Sequence, residues 1–111
     1  MKQLRSLILI ILPIFLLAFT FSGCDSSADR ELKRAQEALD QAQEMGADSH
    51  AFDDFRKAEE FFEQAMEAND DGKIQDARSF AIKAKLKAED AMSKTKDRMS
   101  SLDEEKSRLG R

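Results

Sequence analysis

Cysteine, histidine and proline each occur once in this chain of 111 residues, and tryptophan and tyrosine do not occur at all. A single cysteine, Cys24, excludes a disulfide within the chain. A single histidine, His50, excludes an HExxH zinc motif and any Cys/His set at metal-ligand spacing. The four glycines form no phosphate-binding loop. The acidic doublets Asp53-Asp54 and Asp70-Asp71 lack the spacing of a calcium loop and read as solvated helix starts or turns. His50 reads as a surface residue. No catalytic constellation remains, so no enzymatic activity, metal or freely bound cofactor is expected. Basic residues are outnumbered, 18 against 22, for a net charge of −4. That balance argues against a nucleic-acid partner, whose phosphate contacts require a basic surface.

What is present divides sharply at Cys24. Met1 to Ser6 carries Lys2 and Arg5 and no acidic residue. Leu7 to Phe21 is then apolar apart from Thr20 and the helix-disrupting Pro13. Small residues follow at Ser22 and Gly23, and the chain turns polar at Asp25. A positive start, a short apolar run and a small-residue end are the three parts of a secretory signal. The apolar run has fifteen residues, short of the roughly 20 that a membrane-spanning helix needs. Residues 1–23 therefore read as a cleaved signal peptide. Loss of Lys2 and Arg5 leaves 16 basic residues against 22 acidic, a net charge of −6.

Phe21-Ser22-Gly23-Cys24 resembles the lipobox of bacterial lipoproteins, with Phe21 standing where an aliphatic residue is usual. In that family the small residue before the cysteine, here Gly23, lets the signal peptidase reach the backbone. The resemblance implies cleavage between Gly23 and Cys24. It also implies a covalent diacylglycerol on the Cys24 sulfur and an N-acyl lipid on the new amino terminus. Two or three chains hold a protein firmly where one is marginal. Asp25 resembles the residue that retains lipoproteins in the inner membrane. It serves equally as the start of a solvated tether, and the outer membrane stays open. The expected location is the bacterial cell envelope, lipid-anchored and facing the periplasm. Residues 24–28 are then the lipidated cysteine and a short tether.

Beyond the tether no strand-like alternation occurs, and apolar residues recur at helical spacing. Ser26 and Asp29 match a capping box. Leu32, Ala35, Leu39 and Ala42 step by 3, 4 and 3, drawing one stripe down a first helix. Gly46 ends it. Asp48 or Ser49 caps a second helix, with its stripe at Phe55, Ala58, Phe62 and Ala65. Phe52, Phe61 and Met66 widen that face. Asn69-Asp70-Asp71-Gly72 forms the next turn. A third helix carries Ile74, Ala77, Ala81, Ala84, Ala88, Ala91 and Thr95 at alternating steps of 3 and 4. Phe80, Ile82, Leu86 and Met92 flank that stripe. Short turns imply antiparallel neighbours. The expected fold is all-α: an antiparallel three-helix bundle over residues 29–99 with a long third helix. Alanine contributes little apolar area, so the phenylalanines are expected to supply much of the burial, as core or as a groove for a partner.

Charge favours the same pairing. Asp48 to Asp71 holds nine acidic and two basic residues, and Lys73 to Arg98 holds eight basic and four acidic, so the second helix is acidic and the third basic. Each exposed pair contributes at most about 1 kcal/mol, which aids register more than stability. From Lys73 to Arg108 the third helix can run 36 residues, about 54 Å, and so overhang the second. Ser101 and Glu104 offer a capping box where it breaks and restarts. Residues 100–111 read as a charged C-terminal extension. It is either a frayed tail or a coiled-coil contact through Met99, Leu102 and Leu109.

Two stretches carry a wider resemblance. "RAQEALDQAQEMGAD" is an Ala-rich helix ending in a Gly-Ala-Asp turn. "FRKAEEFFEQAMEANDDGKIQDARSFAIKAKLKAEDA" is a helix, a Gly turn and a second Ala-rich helix. From Leu32 to about Arg98 this order resembles the bacterial envelope family known as domain of unknown function 4398. The resemblance implies a small envelope lipoprotein and brings no catalytic residues. The same hairpins are geometrically similar to one tetratricopeptide unit, although such solenoids need about three copies.

Two functions follow as expectations. One is a membrane-anchored, non-catalytic helical domain that mediates protein–protein interaction in the envelope, with the bilayer held through Cys24 and an envelope protein or a second copy as partner. The other is a structural envelope spacer forming an Ala-rich coiled coil. The turns at Gly46 and Gly72 oppose one unbroken rod, and covalent joining to peptidoglycan is not expected.

Overall fold

The structure, a computed structural model, describes residues 27–110, and the regular elements among them are all helical. Four helices follow in order: α1 (Ser27–Glu44), α2 (Ala47–His50), α3 (Phe52–Asp70) and α4 (Ile74–Leu109). The long helices α1, α3 and α4 are those the spacing predicts. The single turn α2 is additional, and it moves the start of the next helix. Asp48 and Ser49 lie inside α2, and Ala51 stands at the N-cap of α3 with no side-chain cap. The reason is burial. Ala47 and Ala51 pack with Phe55 and Ala58 in one core cluster, which holds the chain in an extra turn before α3 begins.

Glycine makes both sharp turns. Gly46 has φ +81° and Gly72 has φ +75°, a region that strains any residue with a Cβ. At Gly72 the geometry closes α3 in a Schellman motif. The Gly72 N–H donates to the Asn69 carbonyl at 3.0 Å, and the Lys73 N–H donates to the Ala68 carbonyl at 2.8 Å.

The core is a ladder of alanines in three layers. Ala28, Ala68 and Ala77 meet at one end. Ala35, Ala65, Ala81 and Ala84 meet in the middle. Ala42, Ala58, Ala88 and Ala91 meet at the other end, beside α2. α1 and α4 therefore run parallel, and α3 runs antiparallel to both. The α4 stripe is buried as spaced, through Ala77, Ala81, Ala84, Ala88, Ala91 and Thr95.

Among the described residues the buried apolar side chains are alanines apart from Leu39 and Phe55. This corrects the expectation for the larger side chains. Phe61, Phe62 and Phe80 are half-buried at the edges of the layers, while Phe52 and Met66 are 58% and 49% exposed. The cause is steric. Alanine lets helix backbones approach closely, and a seam that narrow extrudes rings to its flanks. Phe61 and Phe80 lie against each other there, with ring centroids 6.5 Å apart. Lys83 Nζ caps both rings, 5.7 Å from Phe61 and 5.3 Å from Phe80.

α4 does not break at Ser101. The Ser101 hydroxyl donates to the Asp97 carbonyl at 2.8 Å, four residues back, so it is satisfied inside one continuous helix. The helix continues to Leu109, with Gly110 at its C-cap.

Candidate interaction surfaces

Gly23, Cys24 and Asp25, and with them the signal segment 1–23 and the cap residue Ser26, lie outside the described residues. Among the described residues no helix is long and apolar enough to cross a membrane. No group of three His, Cys, Asp or Glu side chains among them is placed to hold a metal ion.

The polar residues singled out by sequence take structural places. His50 ends α2, half-buried, and its backbone carbonyl accepts a hydrogen bond from Arg98 Nη1 at 2.9 Å. Asp53 and Asp54 occupy the first turn of α3, where the helix dipole favours negative charge. Asp54 also joins α3 to α4. It accepts a hydrogen bond from Lys94 Nζ, and Lys87 Nζ lies 3.9 Å away. The Lys94 hydrogen bond, reinforced by the charges of Lys94, Lys87 and Lys57, holds the Asp54 carboxyl below the usual carboxylate range. The same contact raises Lys94 above the usual ammonium range. The general charge attraction between the acidic and basic helices is thus realised through one carboxylate. Asp70 ends α3, Asp71 caps it, and Lys73 Nζ lies 3.9 Å from Asp71.

A shallow groove runs along the α1–α3 seam. Toward α2 it opens to about 290 Å³ between Leu39, Asp40 and Gln43 on one side and Phe55, Glu59 and Phe62 on the other. Toward the Gly72 turn it opens to about 300 Å³ between Leu32, Lys33 and Gln36 and Phe62, Met66 and Asp70. It exists because α1 and α3 both close on α4 through alanines, leaving larger residues along their shared outer edge. Sequence reading left a groove open as the alternative to a phenylalanine core, without placing it between α1 and α3. The signal for it was the set of Leu32, Leu39, Phe62 and Met66 beside an alanine stripe.

The second surface is the end of α4. Thr95 is the last buried residue, and Lys96 to Gly110 are all exposed. Fourteen residues from Lys96 to Leu109 extend about 21 Å past the core. Ala28, at the start of α1, packs against Ala77 near the start of α4. The beginning of the described chain and the α4 overhang therefore lie at opposite ends of the molecule.

A family described as a domain of unknown function (DUF4398) matches residues 30–107. The chain belongs to this family. The match begins at Arg30 in α1 and reaches Ser107, so this DUF4398 domain takes in most of the overhang as well as the alanine core. No curated protein and no solved structure matches the chain.

Proposed function

We propose that this chain is a lipid-anchored, non-catalytic interaction protein of the bacterial envelope, its three long helices acting as one bundle held close to the membrane. The observation that carries this reading is the opposition of ends: α1 starts at one end, and α4 projects from the other. Only Asp25 and Ser26 separate Cys24 from Ser27 at the start of α1. Lipid on Cys24 would keep that end against the bilayer and present the overhang outward, toward the periplasm. Asp25 favours the inner membrane as the anchoring surface.

The anchor is tested by mass spectrometry of the purified protein beside Cys24→Ala. The expected result is an acylated N-terminal peptide that starts at Cys24 and is absent from the variant. A product that retains Met1 and carries no lipid overturns the anchor. The interaction role is tested by crosslinking in intact envelopes with wild type and Leu102→Asp. Adducts that diminish in the variant support it, and no adduct with either protein opposes it.

The spacer reading has one observation in its favour, the 36-residue α4 with its stripe at alternating 3 and 4 spacing. The return of the chain at Gly46 and Gly72 weighs against it. Light scattering on the detergent-solubilised chain separates the two, since a spacer of this kind would be an elongated trimer.

A further inference from the structure

Both α1 and α3 carry a second stripe beside their alanines. On α1 it is Leu32, Gln36, Leu39 and Gln43, at steps of 4, 3 and 4. On α3 it is Phe55, Glu59, Phe62 and Met66, at the same steps. The alanines close on α4, while the second stripes line the two openings of the α1–α3 groove. Steps of 3 and 4 keep a row on one side of a helix, so a row beside the one already covered marks room for a second helical neighbour. Leu39 and Phe55 form a buried floor, Leu32 and Phe62 are half-buried, and Met66 is 49% exposed on the lip. With α1 and α3 as walls and α4 beneath, a helix laid in this groove completes a four-helix bundle.

The charges along the groove say what kind of helix fits. Toward α2, Asp40 stands on the α1 wall and Glu59 and Glu63 on the α3 wall, with Arg56 as the one base beside them. Arg56 is already held by Glu59, with Nη1 3.4 Å from Oε2. Asp40 accepts a hydrogen bond from the Gln36 amide at 2.8 Å, and no cation among the described residues pairs with it or with Glu63. Toward the Gly72 turn, Lys33 offsets Asp70. The groove is therefore acidic on both walls at its α2 end and balanced at the other. A second copy is a poor occupant. Copies held by their α1 starts on one membrane stand side by side, and a two-fold pairing of their grooves sets Asp40 and Glu63 of one against the same acids of the other. A helix whose apolar stripe is flanked by Lys and Arg instead meets each acid with a base.

We propose that the α1–α3 groove holds an amphipathic helix of an envelope protein, with its apolar stripe on Leu32, Leu39, Phe62 and Met66 and its basic flanks over Asp40 and Glu63. The proposal rests on reading the chain as an interaction protein, adds the surface and the class of partner, and does not depend on lipid at Cys24. The 18 residues of α1 set the useful length of the partner helix at about 27 Å. The flanking charges are exposed, so the pairing weakens as salt rises.

The probe is a synthetic peptide as long as α1, with leucine at steps of 3 and 4 and lysine on both flanks. A second peptide carries glutamate in place of lysine. Fluorescence anisotropy of the labelled peptide follows its binding to the full chain in neutral detergent at low salt. The detergent acts on the peptide alike in every arm, so differences between protein variants read the groove. The lysine peptide binds one to one and the glutamate peptide does not. Asp40→Lys and Glu63→Lys each weaken binding about fivefold, and together more than tenfold. Met66→Ser weakens it at every salt concentration, and Leu86→Ser, an exposed site on the side of α4 away from α1 and α3, leaves it unchanged. Circular dichroism checks that each exposed substitution leaves the fold intact. No binding, equal binding of the glutamate peptide, or binding indifferent to D40K/E63K overturns the proposal. So does a dimer that Met66→Ser dissociates, which marks a second copy as the occupant, or binding that appears only once residues 1–23 are removed, which marks that segment. If the peptide fails to bind while Leu102→Asp still loses crosslinked envelope proteins, the groove assignment fails and the interaction role stands.

Discussion

Asp54 does more than any other charged residue to tie two helices together. It sits at the third position of α3, where the helix dipole favours an anion, and accepts from Lys94 with Lys87 nearby. Its carboxyl is held below its ordinary value, so its contribution is complete well above an unfolded value near pH 3.9. That contribution is lost as pH falls through the lower folded value. Asp54→Asn is expected to cost up to about 1 kcal/mol at pH 7. The gap to wild type should begin to narrow below about pH 5 and close only once the folded Asp54 carboxyl is itself protonated. Urea denaturation at a series of pH values measures this, and a gap that stays constant with pH would refute the assignment. Sequence identified Asp53-Asp54 as a solvated helix start. It did not show that Asp54 reaches across to Lys94, because 40 residues separate the two.

At the scale of the helix, alanine sets the architecture. The 3 and 4 spacing of Ala77, Ala81, Ala84, Ala88 and Ala91 is readable without coordinates, and each of these residues is buried. The fate of the larger neighbours was not readable. Phe55 is buried while Phe52, three positions earlier, is largely exposed, because the extra turn α2 delivers Ala47 and Ala51 to the core. Close approach has a mechanical consequence. Ala81→Leu inserts three heavy atoms into a seam with no exposure and is expected to cost about 1–3 kcal/mol. Phe52→Ala, despite its greater loss of volume, should change stability by no more than about 0.5 kcal/mol. Chemical denaturation of the two variants measures the contrast. Equal effects would mean that the seam is looser than its alanines indicate.

At the scale of the molecule, one helix belongs to two regions. From Ile74 to Thr95 α4 is held on one side by α1 and α3, and from Lys96 onward its side chains are exposed, with Arg98 reaching back to the His50 carbonyl of α2. Removal of residues 99–111 deletes no side chain that is buried among the described residues. The truncated protein should keep its Tm within a degree or two, while hydrogen exchange in the full chain should be fast over 99–109 and slow over 77–91. A large fall in Tm would show that the overhang supports the core.

The amino-acid sequence by itself determined the all-helical class, the glycine turns, the alanine stripes and the division at Cys24, since each follows from local spacing or local composition. The tertiary structure alone decided three matters. It inserted the turn α2 ahead of α3, it set Phe61, Phe62 and Phe80 at the edges of the alanine layers, and it left the apolar face beyond Thr95 uncovered. The physical reason is common to all three. Periodicity states which residues share a face, but how closely two faces approach, and where one helix outlasts its neighbours, depends on residues distant in the chain.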